Sequence, residues 1–283
     1  MKINIQAISD KGMVRDNNED AISINGYFLR DDAFSLSVDV QKENACFFLL
    51  LSDGMGGHEK GEEASEIALS ELKGQFARQE IKTDSFHDDV NKAAKYISFK
   101  INSTARDQGQ EKPMGCTLTG LVWFYGKTYL LNSGDSRTYR FRDGMLKQLT
   151  TDQTERGLTN NPEASKALLN CLGGGLDGMI LVDDMTNKII EDDVILICSD
   201  GLTDMLTDDE IESILSEGLT HDGMENNLAE KLKERACEAG GYDNVSIVLA
   251  KLSPARHSDS KSFTANQTLH LGSRFSRNAF MPS

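Results

Sequence analysis

FFLLLSDG (47–54) and VILICSDG (194–201) share one form: a continuous apolar run, then serine, aspartate and glycine. Short apolar runs closed by a turn signal predict buried strands over 46–52 and 193–199. An aspartate at the end of such a strand stands on the rim of a sheet. Asp135, after YLLNSG, has the same setting, and Asp243 comes just before the run VSIVLA. In an antiparallel sheet, the end of one strand and the start of its neighbour share an edge. Asp53, Asp135, Asp200 and Asp243 then converge on one rim. In a parallel sheet Asp243 would lie on the opposite edge.

The surrounding sequence favours antiparallel pairing. Segments 117–124 and 128–133 flank Tyr125-Gly126-Lys127, a hairpin signal, and Arg142-Asp143-Gly144 turns 137–141 into Met145 to Leu149. Further strands are predicted at 3–8, 21–29, 34–38, 180–183 and 245–252. Apolar residues at three- and four-residue spacing predict helices over 61–78 and 85–106. Ile211, Ile214 and Leu215 begin another helix, with Thr207 and Glu210 spaced as a capping box. Met224, Leu228, Leu232 and Ala236 continue with a further one. Helices come in blocks between strand blocks, which indicates a layered α+β fold rather than a doubly wound parallel sheet.

The 283 residues carry a net charge of −15. An acidic surface repels nucleic-acid backbones, so nucleic acid is not an expected partner. The longest apolar run, Ala45 to Leu51, is far short of the ~20 residues of a membrane-spanning helix. The N-terminus lacks the apolar core of a secretory signal. Five cysteines, odd in number and without a CxxC pair, argue against a disulfide framework or cysteine-built zinc site and suit a reducing cytoplasm. Nothing indicates an obligate oligomer, so a monomer is expected. From Pro254 to Ser283 composition changes: periodicity ends and the charge is +3, leaving −18 for 1–253. A folded domain over 1–253 and a disordered basic tail over 254–283 are expected.

Clustered carboxylates repel one another unless a cation joins them. Mg²⁺ or Mn²⁺, which take oxygen ligands, resolve the conflict. Gly54 lets the backbone approach closely enough for its carbonyl to serve as a further ligand. A single Asp-Gly after a strand is an ordinary turn; four aspartates in matched settings point to a site. The segment Arg15-Asp16-Asn17-Asn18-Glu19-Asp20 adds a guanidinium suited to phosphate and two acids suited to metal-held water. By itself it is also a charged loop before a strand. GLVWFYGKT (120–128) approaches a phosphate-binding loop, but has five residues between its glycines where four are needed, and they are apolar.

Six segments together resemble the protein phosphatase 2C family of metal-dependent Ser/Thr phosphatases, in its bacterial form. They are GMVRDNNED (12–20), LSDGMGGHEKGEEAS (51–65), GCTLTG (115–120), NSGDSRTYRFRDGMLKQLT (132–150), ICSDGLTD (197–204) and GYDNVSIVLA (241–250). The resemblance implies an αββα sandwich of two antiparallel sheets flanked by helices, with metals at one end. It implies that Asp53 bridges two Mg²⁺ or Mn²⁺ ions, that the Gly54 carbonyl serves the second, and that Asp200 and Asp243 complete the shell of the first. Glu19 and Asp20 would act near the second ion through water, Asp135 would contribute to a third ion, and Arg15 would bind the substrate phosphate. The implied reaction is hydrolysis of phosphoserine or phosphothreonine by metal-activated water, with phosphorylated proteins as substrates and a cytoplasmic Ser/Thr kinase as the opposed enzyme. Another phosphoester substrate, or a non-catalytic regulatory role, is the alternative.

Three departures stand out. Met55 takes the position after Asp-Gly where some members carry histidine, and a thioether donates no proton; nearby His58 is read as a surface or packing residue. The segment at 152–168, which corresponds to a flap beside the site, is shorter than usual. Residues 28–45 read as an added hairpin or loop.

Overall fold

The computed structural model describes residues 1–41, 46–56, 60–109, 113–161, 163–220 and 223–254. His58 and the tail beyond Pro254 lie outside the described residues. In chain order the elements begin with strands β1 (Lys2–Asp10), β2 (Ala21–Ile24), β3 (Tyr27–Leu29), β4 (Asp32–Asp39), β5 (Cys46–Ser52) and β6 (Gly54–Met55). Helices α1 (Lys60–Ala77) and α2 (Phe86–Asp107) follow, then β7 (Gly115–Cys116), β8 (Leu118–Phe124), β9 (Lys127–Ser133), β10 (Arg137–Arg142) and β11 (Met145–Gln148). After α3 (Glu155–Thr159) come β12 (Leu172–Gly173), β13 (Leu181–Asp184) and β14 (Val194–Cys198). The chain continues through α4 (Asp200–Thr203), α5 (Asp208–Gly218), β15 (Leu219–Thr220), β16 (Gly223–Met224), α6 (Leu228–Glu238) and β17 (Val245–Ser253).

Two six-stranded sheets carry the fold, ordered β11-β10-β14-β17-β1-β4 and β13-β9-β8-β5-β2-β3, with every pairing antiparallel. Three separate cores show four layers. Phe48 and Leu50 pack with α1 and α2. Their neighbours Phe47, Leu49 and Leu51 pack between the sheets with Ile3, Ile5, Ile195, Ile197, Val248 and Ala250. Val194, Leu196 and Cys198 pack outward with α5 and α6. The runs FFLLL and VILIC are therefore uniformly apolar because both faces of their strands are covered. Each fully buried Leu or Ile contributes roughly 1.5–3 kcal/mol.

Turn chemistry sets the hairpins. Asn25-Gly26, Tyr125-Gly126 and Asp143-Gly144 all have positive φ at both positions, as a two-residue turn between twisted strands requires. The first breaks the single strand expected over 21–29 into β2 and β3. Residues 32–39 form a regular strand: β4 pairs with β1 from Lys2↔Asp39 to Ser9↔Asp32 and makes the sheet edge. Phe34, Leu36 and Val38 turn toward the inter-sheet core. Thr207 and Glu210 do form a capping box at the start of α5. Met224 does not begin α6; it pairs with Leu219 in a small ribbon, and the helix starts at Leu228.

Candidate metal and phosphate site

Strand register delivers the acids to one end of the sandwich. Pairing of Ala21 with Ser52 puts Asp20 and Asp53 side by side at the end of one sheet. Pairing of Cys198 with Ile247 brings Asp200 to Asn244 and Asp243 at the end of the other. Arg137, paired with Cys198, draws Asp135 in from the connection between the sheets. The expected rim exists, but it is two rims facing each other across the sandwich. Arg15, Glu19, Asp53, Gly54, Asp135, Asp200 and Asp243 all line one cleft of about 480 Å³, and Asp20 lies buried beneath it.

Close backbone approach explains the glycines. A Cβ on Gly54 would strike the Gly61 carbonyl oxygen of α1, and one on Gly201 would strike that of Asn244. The serines before each Asp-Gly are braces: Ser52 Oγ donates to Thr117 O (2.7 Å), and Ser199 Oγ accepts from Ser246 N (3.0 Å). Thr117 holds the Asp53 backbone from both sides, accepting from its N through Oγ1 (3.0 Å) and donating to its O (2.8 Å). Thr117 Oγ1 also bonds Ser136 Oγ, of the GDSR sequence (2.7 Å). Asn244 ties the N-terminal loop down: its Oδ1 accepts from Glu19 N, and its Nδ2 donates to Lys11 O and Asn17 O. None of these braces was singled out from sequence. The repeated Ser-Asp-Gly was the available signal.

The carboxylates are electrostatically strained. Burial, then Asp20, Asp200 and Asp243, push Asp53 well above the usual carboxylate range. Burial and the Asp135 and Asp243 charges raise Asp200 to about 8. Burial raises Asp20 to about 6, offset in part by the nearby Ser199 and Ser246 hydroxyls. Burial and Asp152 raise Asp135 to about 6. Both carboxylate oxygens of Asp20 are buried without a hydrogen-bond partner. Arg15 hydrogen-bonds one member, donating from Nη2 to Asp243 Oδ2 at 2.6 Å. Among the described residues no three His, Cys, Asp or Glu side chains are already arranged to hold an ion. The donor chemistry nevertheless fits a hard divalent cation: every donor is oxygen, the negative charge is in excess, and Asp20 lacks partners.

The flap segment over 152–168 carries the five-residue helix α3. Thr154 caps α3 by accepting from Gly157 N (3.0 Å), and a bridge from Thr154 to Leu168 closes the loop. Arg137 of the GDSR sequence clamps its base through both carboxylate oxygens of Asp152, rather than facing the cleft. Lys166 and Leu168 reach the cleft wall.

A sequence model described as protein phosphatase 2C matches residues 24–235. The chain belongs to the protein phosphatase 2C family. The match includes Asp53, Asp135 and Asp200; Arg15, Glu19, Asp20 and Asp243 lie outside it and join them through strand register. The serine/threonine protein phosphatase PstP of Mycobacterium tuberculosis is 30% identical over 256 residues, covering 86% of this chain and 44% of that protein. The chain thus spans less than half of that relative's length. The serine/threonine phosphatase stp of Listeria monocytogenes is 28% identical over 264 residues, covering 86% of this chain and 93% of that one. The catalytic domain of PstP in complex with two manganese ions superposes with a TM-score of 0.68 at 28% identity, over 90% of this chain and all of that one. A Streptococcus agalactiae serine/threonine phosphatase gives a TM-score of 0.70 at 23% identity, covering 89% of this chain and all of that one, a likeness of fold. No described helix of this family member is long and apolar enough to cross a membrane.

Proposed function

We propose that the chain is a divalent-cation-dependent phosphatase that hydrolyses phosphoserine and phosphothreonine in proteins. One observation carries this: acids from both sheets are pressed into a single cleft, where their raised pKa values need compensating positive charge. Asp53, the Gly54 carbonyl, Asp200 and Asp243 are the residues that would hold two Mg²⁺ or Mn²⁺ ions, with Asp135 toward a third. Such ions, when bound, neutralise the cleft and acidify water for attack on phosphorus. Glu19 and Asp20 orient water at the cleft floor. Arg15, at the mouth, offers a planar fork of donors to two phosphoryl oxygens and exchanges Asp243 for them.

Met55, in the cleft lining, carries no proton to give, and on this reading water supplies the proton of the leaving oxygen. The opposed enzyme on this reading is a Ser/Thr kinase, and the working form is a monomer. All five cysteines are free, which suits a reducing cytoplasm. The full donor set argues against a purely regulatory role.

Hydrolysis of a phosphothreonine peptide with Mn²⁺ tests the reading. Activity is expected in the wild type and lost with chelator and in Asp200→Asn. A folded, Mn²⁺-loaded wild type that leaves phosphoserine and phosphothreonine peptides intact would overturn it, and turnover of other phosphoesters alone would redirect it to another substrate.

A further inference from the structure

Among the described residues lining the cleft, the cations are Arg15 and Lys166. Lys166 stands on the flap, whose ends are locked. Beyond the Thr154–Leu168 bridge, Leu169 N donates to Gln153 O (2.8 Å), Gln153 N to Gly134 O (3.1 Å) and Asn170 Nδ2 to Gln153 Oε1 (2.6 Å). The backbone near Lys166 is therefore fixed to the strand end that carries Asp135, and movement belongs to its four-carbon stem.

That stem ends in an ion pair with Asp204, Nζ to Oδ1 at 2.6 Å, with the two side chains 54% and 43% exposed. Exposed pairs of this kind hold weakly and exchange partners readily. Asp204 follows Asp200 by one helical turn, its N donating to the Asp200 carbonyl at 2.7 Å. An ammonium on a replaceable carboxylate thus stands, with Arg15, at a cleft whose other charged lining groups are acids.

We propose that Lys166 is a substrate-recognition residue: its ammonium leaves Asp204 to bind an anionic oxygen of the phosphorylated substrate, with Asp204 as its internal competitor. This rests on the phosphatase reading. The oxygen belongs either to the phosphoryl group or to a carboxylate flanking it in the peptide.

The two partners make opposite predictions. Were the ion pair merely a latch holding the flap, removing either partner would have the same effect. As a recognition cation with a competitor, Lys166→Gln weakens substrate binding and Asp204→Asn strengthens it. The measurement uses the full chain at saturating Mn²⁺. Its probes are a phosphothreonine peptide with neutral flanks, the same peptide with glutamate beside the phosphoresidue, and inorganic phosphate as competing inhibitor and calorimetric ligand. Lys166→Gln is expected to raise KM about three- to fivefold with little change in kcat. Asp204→Asn lowers KM, and Lys166→Arg restores it. Shifts with the neutral peptide and phosphate assign the phosphoryl group; shifts with the glutamate peptide alone assign the flanking carboxylate. Shifts in the same direction in both variants, or in neither, overturn the proposal. An inactive wild type defeats the phosphatase reading instead, and calorimetric binding of phosphate and of the glutamate peptide both unchanged by Lys166→Gln would then defeat this inference too.

Discussion

Asp20 gathers the electrostatics of the site into one side chain. It is fully buried and neither oxygen has a partner. The rise of its pKa from 3.8 to about 6 costs on the order of 3 kcal/mol of folding stability at neutral pH. The native state holds this proton more tightly than the unfolded chain does, so stability falls as pH rises between the two pKa values. For Asp20 and Asp135 the fall runs from about pH 4 through 6, and for Asp200 it extends to about 8. The cation-free protein should therefore melt at higher temperature at pH 5 than at pH 8. Mg²⁺ or Mn²⁺ should raise the melting temperature more at pH 8, because it binds the ionised acids. Thermal scans at both pH values, with and without metal, check this; a cation-free protein whose stability climbs over that range would contradict it. Asp20→Asn should reduce the slope between pH 4 and 6 by the share of Asp20, leaving that of Asp135 and Asp200.

Elements explain why some glycines matter at the site and others only to the chain. Gly54→Ala would drive a Cβ into the Gly61 carbonyl, where strand and helix backbones meet beside Asp53. We expect a loss of about 2–3 kcal/mol, together with most metal-stimulated activity. Gly126→Ala meets nothing within 4 Å but keeps φ at 89°. It should cost about 1 kcal/mol from strain at the turn and leave activity intact. Denaturant midpoints and turnover of the two variants check the contrast. Strands and helices of this kind were legible because their signals are local: apolar runs, Tyr-Gly and Asp-Gly turns, the Thr207 cap. The β2–β3 turn at Asn25-Gly26 was equally local and was read through, since apolar residues continue on both sides. Met224 fitted the helical spacing but was claimed by pairing with Leu219, a contact that periodicity does not encode.

At the scale of the whole molecule, the sequence showed four acids at strand ends but not that they belong to two stacked sheets. Stacking decides which rim faces which, and it is set by the inter-sheet core around Leu49, Ile197 and Val248. The braces Thr117, Asn244 and Ser246 were hidden for the same reason: their partners come from distant segments. Charge is the property the sequence reports at this scale without a structure. Residues 1–253 carry −18, a field that opposes every anionic substrate before contact. At 0.15 M salt such fields decay over about 8 Å, whereas a direct ion pair inside the cleft is screened much less. For a phosphopeptide flanked by glutamates, kcat/KM should rise as ionic strength goes from 0.02 to about 0.2 M, where screening shortens from roughly 20 Å to under 10 Å. For one flanked by lysines it should fall, and the two should draw together. Lys166→Gln should shift the glutamate curve down at every salt concentration without altering its slope, because one lysine changes the local contact far more than the total charge. Equal salt slopes for the two peptides would show instead that the field of the molecule does not reach the cleft mouth, and that charge selection is made wholly by the residues lining it.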